Sequence, residues 1–303
     1  NYIASVSRKT FGNSGENIIL NGIVPIEYTT RIESNKLEVT FADCLVGQAQ
    51  SSYKYNSSLI SGMNFKSQAV NGKTNTVLTI TTSKPAKFAV GTSDGNCTLN
   101  IMFVDKSLLE SRTPIVVLDA GHGGRDPGAS GDSLSEKEVN LKIVLKVGKI
   151  LAGKGLKVVY TRQDDTYVGL DERTTLANLL NAAVFISVHQ NANVSSTPSG
   201  TETYCYYPVS DPNLYMQKEE RYNLALRLQE ALVDMLGRKD RGVKEGNLAV
   251  LRESKMPSAL VEMVFISNPE EEALLKKDTF LEKGAQAIAE AIAQYMKSYA
   301  DNR

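Results

Sequence analysis

The chain has 303 residues, enough for about two domains, and its 42% hydrophobic and 22% charged residues are the balance of an ordinary globular protein. Lys+Arg 34 against Asp+Glu 34 leaves no net charge, which argues against a non-specific nucleic-acid or membrane-surface binder. No apolar run approaches the roughly 18–20 residues that span a bilayer. No charged segment followed by an apolar one opens the chain, so any secretion signal is expected to have been trimmed already.

Residues 1–104 are rich in Thr, Ser and Asn, with short β-branched or aromatic runs at Asn17–Leu20, Lys36–Phe41, Asn75–Ile80 and Thr98–Val104. Turn clusters such as Asn13-Ser14-Gly15 and Ser93-Asp94-Gly95-Asn96 punctuate them. Short strands between turn signals read as an all-β sandwich. This half holds no histidine and no carboxylate cluster, so chemistry is not expected there. Residues 105–113 read as a linker closed by Pro114.

From residue 114 strands and helices alternate. Ile115–Leu118, Val158–Tyr160, Val184–Val188, Glu202–Tyr207 and Ala259–Phe265 read as strands. Val139, Ile143 and Val147 repeat at helical spacing within Glu136–Leu151, as do Leu224, Leu228 and Leu232 within Tyr222–Met235. Asp171–Leu180 and Phe280–Tyr299 complete the helices. The pattern predicts an α/β domain over 114–303, a central sheet flanked by helices.

Three cysteines at unpatterned spacing, Cys44, Cys97 and Cys205, make neither a disulfide framework nor a cysteine zinc site. Cys44 and Cys97 could pair, but the odd count favours three small buried hydrophobes. More telling is that the whole chain has two histidines, His122 and His189. Each directly follows an expected strand, and open α/β sheets place their sites outside the carboxyl ends of strands. Gly121, Gly123 and Gly124 around His122 suit a tight turn that brings backbone close to a ligand. A phosphate cradle is not the reading, because neither glycine-rich phosphate motif is present.

Two histidines and a carboxylate with an open fourth position make the usual catalytic zinc set. Glu136 and Glu138 are the nearby acids. Ser135 as N-cap with Glu138 at N3 reads as a capping box, which leaves Glu136 free to face the site. The alternatives are satisfied or surface histidines and a first-turn acid placed for the helix dipole. Glu262, inside an apolar strand, is either a general base or half of a buried ion pair with Arg173 or Lys244. Glu202 is a candidate to support the site from behind.

The segment Ile115-Val116-Val117-Leu118-Asp119-Ala120-Gly121-His122-Gly123-Gly124-Arg125-Asp126-Pro127-Gly128-Ala129 resembles the opening motif of zinc-dependent N-acetylmuramoyl-L-alanine amidases, bacterial cell-wall hydrolases. Glu136–Leu141, Ser187–Ala192 and Leu260–Asn268 resemble later motifs of that family in the right order, with Thr161-Arg162 and Arg173 with Ala177-Asn178 at weaker positions between them. One departure is Ala120, where the family often has proline.

The resemblance implies zinc held by His122, Glu136 and His189, Glu262 as the catalytic base, and Asn191 binding the substrate peptide through its amide. The implied reaction is hydrolysis of the amide between N-acetylmuramic acid and L-alanine in peptidoglycan. The implied location is outside the cytoplasm, with a monomer expected. Residues 1–104 are similar to the AMIN domain, a β-sandwich that targets such amidases to the envelope, with Lys36–Asp43 the best-matching piece.

Rival readings are a zinc peptidase acting on the stem peptide, and a non-catalytic peptidoglycan-binding module, which would lack one of the four residues. Some members of the family carry an inserted, activator-dependent helix after the Glu202–Tyr207 strand. Here Pro208-Val209-Ser210-Asp211-Pro212 predicts a turn there instead, and an open cleft.

Overall fold

The structure, a computed structural model, describes residues 2–47, 52–53, 55–70, 72–110 and 113–301. The chain forms two compact units, Asn1–Ser111 and Arg112–Arg303.

The first unit has the strands β1 (Tyr2–Thr10), β2 (Gly15–Gly22), β3 (Tyr28–Glu33), β4 (Lys36–Phe41), β5 (Leu45–Val46), β6 (Ser52–Tyr53), β7 (Ile60–Val70), β8 (Lys73–Thr82), β9 (Ala86–Ser93) and β10 (Thr98–Asp105). They form two five-stranded sheets in the orders β5-β1-β2-β10-β9 and β3-β4-β8-β7-β6. Alternate residues of both sheets meet in one core, with Ile18, Leu20, Ile101 and Phe103 from one and Leu37, Val39, Leu78 and Ile80 from the other. The four expected runs are β2, β4, β8 and β10; β1, β3, β7, β9 and the two-residue β5 and β6 have no counterpart among them, and in β1 and β7 polar residues such as Ser and Lys dilute the apolar alternation. The 105–113 stretch is more than connection: β10 runs to Asp105, and one helical turn, α1 (Ser107–Glu110), follows.

All three cysteines are free. Cys44 and Cys205 are buried as expected, whereas Cys97 is half-exposed in the turn before β10, which corrects the reading of three buried thiols.

The second unit contains β11 (Ile115–Ala120), α2 (Glu136–Gly153), β12 (Lys157–Tyr160), α3 (Leu170–Leu179), β13 (Val184–Asn191), β14 (Thr201–Cys205), α4 (Pro212–Tyr215), α5 (Lys218–Leu236), β15 (Asp240–Glu245), α6 (Ala249–Arg252), β16 (Ser258–Phe265), α7 (Pro269–Leu275) and α8 (Asp278–Asp301). One six-stranded sheet runs β12-β11-β13-β16-β14-β15. The first four strands are parallel, β14 is antiparallel to β16, and β15 is parallel to β14. The central strands are continuous apolar runs because both faces are covered. Val116, Leu118, Val184, Ile186, Ala259 and Val261 point to one face, where residues of α2, α5 and α8 bury them.

The opposite face carries the intervening residues. Near the carboxyl ends these turn polar: Asp119, Ser187, His189, Glu262 and, on β14, Glu202. Opposite β13, β16 has one residue too many. His189 pairs with Glu262, but Asn191 pairs with Phe265. This bulge sends the consecutive Met263 and Val264 both into the apolar cluster and returns Phe265 to the face of Glu262.

Arg221 of α5 is fully buried, with no carboxylate ion-paired to it among the described residues. Its guanidinium donates instead to the carbonyls of Leu251, Ser254 and Met256 and to Ser258 Oγ, tying α6 and the start of β16 to α5. Between β14 and α5 the expected turn is present at residues 209–210. Asp211 then caps the single helical turn α4 by accepting from the amides of Asn213 and Leu214. Helix α5 begins at Lys218, earlier than the expected Tyr222.

Candidate metal centre

His122 follows β11 in a left-handed backbone conformation, φ +63°, that a side-chain-bearing residue adopts only when its surroundings fix it. Two buried arginines do so. Arg173 donates to Asp119 Oδ1 at 2.6 Å, to the Ala120 carbonyl at 2.8 Å and to the His122 carbonyl at 2.9 Å. Arg162 donates to the carbonyls of Ala120 and Gly121, both at 2.9 Å. Asp119 is fully buried and also accepts from Thr161 Oγ1 and Ser187 Oγ, each at 2.6 Å. Burial opposes its charge, but Arg173 and the two hydroxyls outweigh that and hold its carboxyl below the ordinary range.

His122, Glu136 and His189 converge so that one ligand atom from each lies within 4.8 Å of the others. Glu136 Oε1 lies 2.8 Å from His189 Nδ1, and Oε2 lies 3.1 Å from His122 Nε2. Burial works against ionisation of Glu136, yet the hydrogen bonds of the two histidines hold its carboxyl well below the ordinary range. Backbone amides of Ala129 and Gln190 also donate to it. On the far side of the His122 ring, Nδ1 meets Asp126 Oδ2 at 2.8 Å.

Two glycines permit this crowding. A Cβ on Gly121 would fall 2.2 Å from the His189 ring, and one on Gly128 (φ +67°) would fall 2.6 Å from both Glu136 Oε2 and the His122 ring. Gly121 is one of the three glycines expected to bring backbone close to a ligand; it and Gly128 bring backbone close to the donor side chains. Two nitrogen donors from half-buried histidines and one buried carboxylate, with His122 and Glu136 held from behind, suit a divalent cation.

The capping box is not formed. Ser135 makes no side-chain cap hydrogen bond, and its Oγ is buried without a partner among the described residues. Glu136 faces inward because two backbone amides and the histidines claim it, while Glu138 points to solvent.

Glu262 stands on β16 directly opposite His189. Neither ion-pair partner expected for it is used, since Arg173 pairs with Asp119 and Lys244 with Glu202. Glu262 Oε2 is buried with no hydrogen-bond partner among the described residues. Burial, then the charges of Glu136 and Glu202, push its carboxyl well above the ordinary range.

On the next strand Glu202 accepts from Asn191 Nδ2 at 2.7 Å, Tyr204 OH at 2.8 Å, Arg241 Nε at 2.7 Å and Lys244 Nζ. Burial raises its pKa, but these cations and the phenol bring it down to about 2. Arg241 and Lys244 lie on β15, a strand with almost no signal in the sequence. Asp240-Arg-Gly-Val-Lys-Glu has one apolar residue and no alternation to mark it.

An α/β sheet with a potential metal centre at its carboxyl rim, beside a half-buried carboxyl whose Oε2 has no partner among the described residues, is the arrangement of a metal-dependent hydrolase. Residues 116–294 match the family described as N-acetylmuramoyl-L-alanine amidase, and the chain belongs to that family. It is similar to the N-acetylmuramoyl-L-alanine amidase LytC of Bacillus subtilis, 41% identical over 182 residues that cover 60% of this chain and 35% of LytC. The endolysin of Bacillus phage SPP1 is 42% identical over 185 residues, covering 60% of this chain and 66% of the endolysin. The chain thus spans about a third of one relative and just under two thirds of the other.

Among solved structures, the catalytic domain of CwlV from Bacillus (Paenibacillus) polymyxa var. colistinus superposes with a TM-score of 0.55 at 39% identity, covering 61% of this chain and 99% of that one. An N-acetylmuramoyl-L-alanine amidase from Clostridium difficile 630 gives 0.57 at 34% identity, covering 62% and 99%.

Proposed function

We propose that the second unit hydrolyses the amide between N-acetylmuramic acid and the L-alanine of the peptidoglycan stem peptide, with zinc as the metal. The observation that carries the reading is the placement of Glu262, a carboxyl whose buried Oε2 has no partner among the described residues, directly opposite His189 of the His122–Glu136–His189 group. Those three residues hold the ion. When bound there, zinc supplies Lewis acidity at the scissile carbonyl and makes water a nucleophile near neutral pH.

Glu262 accepts the proton of the attacking water and returns it to the departing amine of L-alanine. Burial raises its carboxyl above the ordinary range, which makes its carboxylate a stronger proton acceptor. Asn191 has a fixed orientation. Its Nδ2 must meet the Glu202 carboxylate, so Oδ1 is left to accept an N–H of the substrate peptide.

The first unit is read as an AMIN-like β-sandwich, residues 1–104, that holds the enzyme at the envelope. Its support is the pair of sheets closing on one core, and a weak excess of Lys and Arg over Asp and Glu that suits anionic wall polymers. The enzyme acts outside the cytoplasm as a monomer. Among the described residues no helix is long and apolar enough to cross a membrane.

Mass analysis of digested cell wall tests the reaction. The expected product is a whole stem peptide with L-alanine at its amino terminus, lost on chelation and restored by zinc. Cleavage within the peptide would replace this reading with a zinc peptidase, and activity persisting without metal would end it.

A further inference from the structure

Beyond Glu262 the site face continues to a second row of side chains made by Asn191, Phe265 and Arg241. Asn191 and Phe265 are paired across β13 and β16. Arg241, from the edge strand, lays its guanidinium carbon 4.9 Å from the centroid of the Phe265 ring and donates Nε to Glu202. A ring on one face and a carboxylate on one edge fix the plane of this guanidinium. Its two terminal nitrogens donate to no described residue, and the side chain remains 27% exposed.

Glu202 also anchors Lys244, so two cations share one carboxylate and the wall keeps an unmatched positive charge. Asn191 is anchored to the same carboxylate, and its Oδ1 accepts from no described residue. One acceptor and one cationic fork, both bonded to Glu202, therefore stand side by side on the rim past the catalytic carboxyl.

In a peptide, the N–H and the α-carboxyl of one residue are separated by a single carbon. The residue after L-alanine in a stem peptide is a glutamate joined through its side-chain carboxyl, so its α-carboxyl projects free, as a carboxylate or as a primary amide. We propose that Arg241 is a specificity residue that binds the α-carboxylate of this second stem residue while Asn191 Oδ1 accepts the same residue's N–H. This rests on the amidase reading. Each acts through ordinary hydrogen bonding, and the carboxylate form is favoured because a charge-assisted pair outlasts one to a neutral amide.

The test titrates L-alanyl-γ-D-glutamate and its α-amide into the full chain by calorimetry, and compares turnover of the matching muramoyl peptides. The acid should bind about tenfold tighter, roughly the 1.4 kcal/mol scale of one charge-assisted contact, with the turnover difference in KM rather than kcat. In Arg241→Ala the preference should vanish, and in Arg241→Lys part of it should return; should the alanine variant not fold, Arg241→Gln takes its place. Equal binding of acid and amide by the wild type overturns the proposal. So does a loss in Arg241→Ala that is equal for both ligands, because that marks mere support of Glu202. A binding preference with no hydrolysis of either muramoyl peptide overturns the amidase reading and leaves the Arg241 assignment standing.

Discussion

Asp126 Oδ2 holds Nδ1 of His122 at 2.8 Å, four residues along the same loop, and so decides that Nε2 is the nitrogen turned to Glu136. A carboxylate behind a ligating histidine fixes its tautomer and ring and raises its basicity. Asp126→Asn should keep the fold and weaken metal binding by about 10–100-fold, read by competition with a chromophoric chelator. Unchanged affinity would make Asp126 an ordinary surface acid.

Glu262 is expected to trade stability for turnover. A carboxyl whose folded pKa is raised binds its proton more tightly folded than unfolded, so stability falls as the pH climbs above the unfolded value of about 4.3. Glu262→Gln removes that cost. The metal-free variant should be more stable than the wild type near pH 7 by about 1 kcal/mol, with the gap closing toward pH 4. Turnover should drop by roughly 10²–10⁴-fold with metal content unchanged. Metal lost along with activity would instead place Glu262 among the ligands.

Asp119 has the opposite sign. Its folded carboxyl is depressed, so its contribution is complete above the unfolded value of about 3.9 and disappears as the pH falls below it. Asp119→Asn leaves the Arg173 guanidinium buried without its counter-charge and should cost about 3–5 kcal/mol near neutral pH. Urea titrations at pH 7 and at pH 3 should show this cost shrinking in acid. A cost independent of pH would mean that shape, not charge, holds the pair.

The segment between β14 and α5 leaves no room for a long inserted helix, since one turn at Pro212–Tyr215 and a short link occupy it. The protein with zinc should therefore clear a suspension of purified cell wall with no added partner. Inertness with metal bound, relieved by an activator, would show that some other part of the chain covers the cleft.

Much of the catalytic unit could be read from the sequence because its strands are continuous apolar runs and its two histidines are the only ones available. His122, Glu136 and His189 cluster as their motifs suggested, although the route to Glu136 was different: backbone amides and imidazoles orient it, and the capping box does not exist. The Glu202 network was largely hidden. Arg241 and Lys244 reach it from an edge strand with one apolar residue, and nothing in the local pattern of residues 240–245 reports a partner 39 and 42 positions away. In the first unit the edge strand β3 is almost wholly exposed, so no burial pattern marks it.

The surplus residue in β16 acts like a frameshift in the reading of inside and outside. Phe265 has exchanged faces with the side chain that would otherwise stand there, and the carboxyl of Glu262 and the ring of Phe265 look the same way for that reason. Inserting one residue after Val264 would alter none of the three donors of the metal group, yet with no second bulge to absorb it the ring would turn to the opposite, apolar face and strip the guanidinium of its platform. A one-residue length change in this strand could thus rewrite what the cleft accepts while leaving the reaction in place. Ranking variants by which functional residues they retain would not see it.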